Sequence, residues 1–356
     1  MKIRNVRQLL SASFLISLVT VLPGCTREEP PRFYSMAETL DLPVDLQLAV
    51  QEQVQEISGT FETPHLVTES VAQTTLKLGQ QVYQRRCVQC HGVTGDGQGP
   101  VAAAMYPRPR DYRKGVFKFT STPYGSKPLR SDLVRTVTIG VRGTSMPSFK
   151  ELSSQEIEAV VDYVLALTQR GELEAQITSI AEFDEEVDPE VIQDEVVPVI
   201  ESQWNTAKGN EIVPMTTQPV FTMDHVKRGK EAFLSKGCSK CHGDDGRGQT
   251  KENLAGDLKD TWGHVTRAAD LTSGMLHGGQ RPIDVYKRIY AGINGTPMPG
   301  FANAFKEEPD TIWDLVAFVL SVSNRRRMGE RPAPGPISPY IPAGSADAVS
   351  EANAAE

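Results

Sequence analysis

The sequence predicts an all-α protein of two tandem domains joined by an acidic linker, and three observations carry that expectation. The stretch Cys87-Val88-Gln89-Cys90-His91 recurs as Cys238-Ser239-Lys240-Cys241-His242. Each copy is followed by a closing segment with an apolar stripe at helical spacing: Ile157, Val160, Val161, Val164 and Leu167 in the first, Ile312, Leu315, Val316 and Val319 in the second. The register is nearly constant, with Cys238 151 residues after Cys87, Asp284 152 after Asp132 and Met298 152 after Met146. A period this long marks duplication of a whole domain, not a solenoid repeat.

Taken in order, Lys2, Arg4 and Arg7 precede an apolar run from Leu9 to Leu22, so residues 1–24 read as a secretory signal. Ser11, Ser13, Ser17 and Thr20 interrupt the run, which is shorter than the roughly 20 residues of a bilayer span. Residues 25–71 are acidic and rich in Pro and read as a spacer. Within it Leu46, Val50, Val54 and Ile57 predict a short amphipathic helix capped by Asp45.

The first domain is placed at 72–170. A helix through Leu78–Tyr83 leads to Cys87, and Asp132 caps a second that Gly140 ends. A third runs from Ser153 or Ser154 to about Thr168, with Glu156 and Glu158 at its positive end. The second domain, 223–324, repeats this plan. Between them, residues 171–222 hold 12 Asp plus Glu and one Lys, whereas residues 72–170 hold 14 Lys plus Arg and 7 Asp plus Glu. Such a composition reads as a solvated, extended linker; the alternative lays Glu182–Glu195 along the basic first domain. Residues 325–356, rich in Pro, Ala and Ser, read as a disordered tail.

Cys-x-x-Cys-His is the spacing by which two thiols add to the vinyl groups of a haem while the imidazole takes the iron, so two covalently bound c-type haems are expected. A redox dithiol does not need the His, and a structural zinc site needs four ligands. Each iron then calls for a Met, a His or nothing at its sixth position. Gly143-Thr144-Ser145-Met146-Pro147-Ser148-Phe149 and Gly295-Thr296-Pro297-Met298-Pro299-Gly300-Phe301 share one pattern, with Met146 55 residues after His91 and Met298 56 after His242. Met105, Met275, His65, His225, His264 and His277 have no counterpart in the other domain and read as surface or core residues.

These motifs resemble class I cytochrome c domains over about two thirds of the chain. The resemblance implies that His91 and His242 are the proximal and Met146 and Met298 the distal iron ligands, and that Gly79, Tyr83 and Tyr163 let the terminal helices cross closely. The Leu22-Pro23-Gly24-Cys25 sequence resembles the lipobox of bacterial lipoproteins, which implies lipidation of Cys25, export, and anchoring on the periplasmic side of the inner or outer membrane. Within the family the chain looks most like dihaem subunits of cbb-type oxidases and related quinol-oxidising complexes. That implies an electron relay between a protein donor and acceptor; a dihaem peroxidase-like enzyme or a haem redox or gas sensor is the alternative. The net charge of -8 gives no reason to expect nucleic acid as a partner. Arg108, Arg110, Arg113, Lys114 and Lys118 are a candidate docking surface for an acidic partner, and Arg110 is a candidate donor to a haem propionate.

Overall fold

Val50 and Val54, four residues apart, put one face of the first long helix, α1 (Val44–Ser58), into the core. The computed structural model describes residues 32–325, with side chains to residue 323. The signal region, Cys25 and the tail from residue 326 lie outside the described residues. Helix α1 starts at Val44 with Pro43 before it, so Asp45 lies in the first turn and is not the cap. It ends at Gly59, whose φ of 76° is the left-handed region that favours glycine. The segment before it is tied down too: Met36 N and Thr39 Oγ1 donate to Glu174 at 2.7 and 2.9 Å.

In the first repeat α2 (Gln73–Arg86) delivers the chain to Cys87, and α3 (Arg130–Ile139) stops at Gly140. Asp132, in the first turn of α3, accepts from Leu129 N at 3.0 Å and from Ser121 N and Oγ at 2.7 and 2.6 Å. The closing helix α4 (Ser154–Asp184) begins in a capping box between Ser153 and Glu156. It crosses α2 at Gly79, where a Cβ would overlap the carbonyl of Ala159, with Tyr83 and Tyr163 packed at 5.3 Å between ring centroids.

The sequence ends this helix near Thr168; the structure carries it 16 residues further, to Asp184. The cause is continued burial, because Gln169, Leu173, Ile177 and Ala181 extend the inward face. The chain then folds back through a π-helical turn (Ile192–Val196) and α5 (Val197–Lys208). Pro198 has no N–H for the carbonyl of Asp194, which accounts for the irregular ladder there. Ile192, Val196, Ile200 and Trp204 join the first core. The solvated, extended linker expected here is therefore helical and packed as far as residue 208. Its acidic residues face outward except Glu172 and Glu174, and buried Glu172 pairs with Lys127 and accepts from Trp204 Nε1 at 2.8 Å.

The second repeat has α6 (Met223–Ser235), α7 (Pro282–Ala291) and α8 (Thr311–Arg325). Helices α6 and α8 cross at Gly229, where a Cβ would overlap the carbonyl of Asp314, with Phe233 and Phe318 at 5.0 Å. Trp313 packs on Tyr286 at 4.5 Å and donates to Thr216 O at 2.9 Å.

The two repeats meet through polar contacts. Arg135 Nη2 of α3 lies 2.9 Å from Asp284 Oδ2 of α7, Gly125 N donates to Asn294 Oδ1 at 3.0 Å, and Arg288 donates to the carbonyls of Lys118 and Thr120. Among the described residues there is no strand, only two isolated β-bridges, and no helix long and apolar enough to cross a membrane.

Candidate haem sites

Each Cys-x-x-Cys-His stretch forms one helical turn, Val88–His91 after α2 and Ser239–His242 after α6. None of Cys87, Cys90, Cys238 and Cys241 is in a disulfide. The turn aims the imidazole, and a backbone carbonyl fixes its orientation. His91 Nδ1 lies 3.3 Å from Arg110 O and His242 Nδ1 3.1 Å from Ala269 O. A carbonyl only accepts, so both rings carry the proton on Nδ1 and leave Nε2 as the free lone pair a metal needs. Burial pushes His91 down to about 4, against the hydrogen bond to Arg110, and lowers His242 as well, so both are neutral. Burial pushes the Cys87 thiol up to about 12.

The loop after each turn is built alike. Gly97 N donates to His91 O and Gly248 N to His242 O, at 2.9 and 2.7 Å. Tyr112 N donates to Gly95 O and Leu271 N to Gly246 O, at 2.7 and 2.8 Å. Asp111 and Asp270 each accept the N–H two residues on, at 3.0 and 2.9 Å, so the two hold equivalent turns. The repeats differ in that Tyr112 stacks on His91 at 4.7 Å where the second has Leu271.

The Met loops also match bond for bond. Val141 N donates to Met146 O and Ile293 N to Met298 O, both at 3.1 Å. Thr144 Oγ1 donates to Val141 O at 2.8 Å and accepts from Met146 N at 3.2 Å; Thr296 does the same with Ile293 and Met298, at 2.8 and 3.3 Å. Each threonine thus closes its loop around the methionine. Each loop also touches the other repeat: a Cβ on Gly143 would lie 3.1 Å from His277 Nε2, and one on Gly295 3.2 Å from Val116.

In the second repeat the structure brings the expected residues together. Cys238, Cys241, His242 and Met298 all border one cavity of about 280 Å³. Its other walls are mostly apolar, with Leu271, Val285, Ile289 and Val319 among them, and Tyr106, Pro107, Lys118 and Phe119 of the first repeat close one side. Its charged wall residues are Lys118, Arg267 and Arg288, with no Asp or Glu. Arg288 Nε, in this wall, is a buried donor without a partner. A broad apolar group with an anionic edge fits this site, and haem is such a group.

The expected basic docking surface is dismantled by packing. Arg110 stacks on the Trp262 ring at 3.6 Å, its pKa lowered to about 10 by burial, with Asp260 and Asp111 opposing. Arg113 is paired with Asp111 at 3.0 Å, and Lys118 lies in the cavity wall. Arg108 and Lys114 stay exposed. Of the unmatched residues, Met275 is exposed beside Gly143, and His277 is in the cavity wall. Sequence reasoning missed Arg288 and Trp262 because neither has a counterpart in the other repeat; the rarity of Trp, three in the chain, was the available signal.

Comparison with known proteins agrees with this geometry. Residues 74–164 match the family of cbb3-type cytochrome c oxidase subunit III, and residues 226–323 match the cytochrome c family. The chain is 23% identical over 236 residues to the cbb3-type cytochrome c oxidase subunit CcoP of Helicobacter pylori, covering 65% of this chain and 59% of that protein's length. A chain of the reducing HAO-like protein complex of Kuenenia stuttgartiensis superposes with a TM-score of 0.55 and 29% identity, over 69% of this chain and 96% of that one.

Proposed function

We propose, from the premise that this chain is a tandem of two cytochrome c domains carrying two covalently bound c-type haems, that it relays single electrons between protein partners of a respiratory chain. The working domains in this reading are 72–170 and 223–324. Cys87 and Cys90, and Cys238 and Cys241, would carry the thioether bonds, and His91 with Met146 and His242 with Met298 would hold the two irons. When bound, each haem supplies an iron that passes between Fe(III) and Fe(II), at a potential that a thioether ligand raises.

The chain's own residues hold everything else still. Arg110 O and Ala269 O lock the two imidazoles in the Nδ1–H form. Thr144 and Thr296 keep the methionine loops closed. Mostly apolar walls surround the second site. Little therefore has to move when an electron arrives, which suits a relay.

The observation that carries the reading is the identical hydrogen-bond frame of the Met146 and Met298 loops. A peroxidase-like enzyme or a gas sensor needs one distal side that exchanges its ligand. The similarity to an oxidase cytochrome subunit supports a respiratory oxidase or quinol-oxidising complex as partner. Cys25 is the proposed lipid attachment site, tethering the exported protein to the periplasmic side of a membrane; Cys25→Ala should abolish incorporation of labelled fatty acid. The test of the relay is a potentiometric titration of the haem-loaded chain with haem counted per chain. Two haems that reduce at high potential and ignore added carbon monoxide and cyanide are expected. One haem that binds either ligand in the native chain would overturn the relay in favour of an enzyme or sensor.

A further inference from the structure

Lys118 belongs to the first domain yet stands in the wall of the second domain's cavity. It is held there by its neighbour across the boundary. Arg288 Nη1 donates to Lys118 O at 3.2 Å and Nη2 donates to Thr120 O, and its guanidinium carbon lies 6.0 Å from the centre of the Phe119 ring. Arg288 itself borders the cavity, and its Nε is left buried without an acceptor.

The charges around this pair do not balance it. Burial lowers Lys118 to about 8, with Arg110 adding to the effect and Asp260 opposing it. Burial lowers Arg288 to about 10, with Arg135 acting in the same direction and Asp132 and Asp284 opposing. Both of those carboxylates are already engaged, Asp132 by Ser121 and Leu129, Asp284 by Arg135 and Arg281. His277, also in the wall, is held neutral-leaning by burial and by Lys118. With no acid in the wall, two desolvated cations face an apolar cavity. Buried charges of this kind call for an anionic partner.

We propose that Lys118 and Arg288 together seat a carboxylate of the haem attached at Cys238 and Cys241, so that the first domain completes the second domain's haem site. The proposal rests on the two-haem reading above. Its consequence is that docking of the first domain sets the potential of the second haem. A positive charge beside the haem favours the reduced form, which is the more negative one, and Lys118 supplies that charge only while the domains stay together.

The experiment uses the full, haem-loaded chain. Haem is counted first, and Met298→His marks which of the two redox components belongs to the second domain. Lys118→Gln is expected to lower the potential of that component and leave the other in place, with Lys118→Arg restoring it. The redox-induced infrared difference spectrum in the carboxylate region should change in Lys118→Gln and recover in Lys118→Arg. An unmoved second component, an equal shift of both components, or an unchanged carboxylate spectrum would each overturn the proposal. A chain with fewer than two haems, or one in which Met298→His moves neither component, would instead sink the haem and ligand assignments, and this proposal with them.

Discussion

The two cytochrome c domains share one internal frame and differ in what surrounds it. In both, a one-turn helix presents the histidine, a carbonyl orients it and a threonine closes the methionine loop. The first domain wraps this frame in its own chain, with α1, the long end of α4 and α5 all feeding its core. The second builds its core on α6, α7, α8 and the segment leading into them, and takes part of its cavity wall from the first domain. The lesson is that duplication preserved the local hydrogen bonds around the cofactor, while the covering shell was elaborated on one side only.

The largest effect should come from changing one distal ligand at a time. Met146→His and Met298→His are each expected to lower one potential by on the order of 0.2 V, within the roughly 0.8 V that axial ligands span. Spectroelectrochemistry reads which component moves; if either variant moved both equally, the two sites would not be separate frames.

Next are the helix crossings. Gly79→Ala and Gly229→Ala put a methyl group against the backbone of the facing helix, and each should cost about 3 kcal/mol. Urea unfolding checks this, and a cost near zero at only one of them would show that the two crossings are not equivalent.

The contacts between the domains come third. Arg135→Ala leaves the buried Asp284 carboxylate with Arg281 as its remaining guanidinium partner, at an expected cost of about 2 kcal/mol. Arg110→Ala removes the stack on Trp262 and should cost about 1–2 kcal/mol. A double-mutant cycle of Arg110→Ala with Trp262→Leu isolates that pair; additive losses would show that the stack is not what holds the two together.

The smallest effect probes the covering found in the first domain alone. Trp204→Phe removes the hydrogen bond to Glu172 while keeping an aromatic ring, for a loss of about 1 kcal/mol. The potentials of both haems should stay unchanged, which spectroelectrochemistry of the same variant checks.

What could be read from the residues alone was whatever depends on short spacing. Cys87 to His91 and Cys238 to His242 had to form a tight turn. The shared Gly-Thr-x-Met-Pro-x-Phe loops had to fold alike, and the stripes on α4 and α8 had to face a core, because each is set by neighbours within a few residues.

The acidic stretch after Arg170 shows where such reading stops. Its charge pattern favours a solvated chain, but Leu173, Ile177, Ile192, Val196, Ile200 and Trp204 are apolar at positions that matter only once a partner surface exists. Arg110 and Lys118 show it again, since nothing local separates a solvated basic residue from one stacked on Trp262 or set in a cavity wall. The sequence by itself determined the two haem-attachment turns and the two methionine loops, because bonds close in the chain define them. Only the tertiary structure decided which charges are buried and which domain completes the other's site, because burial depends on surfaces brought together from more than a hundred residues apart.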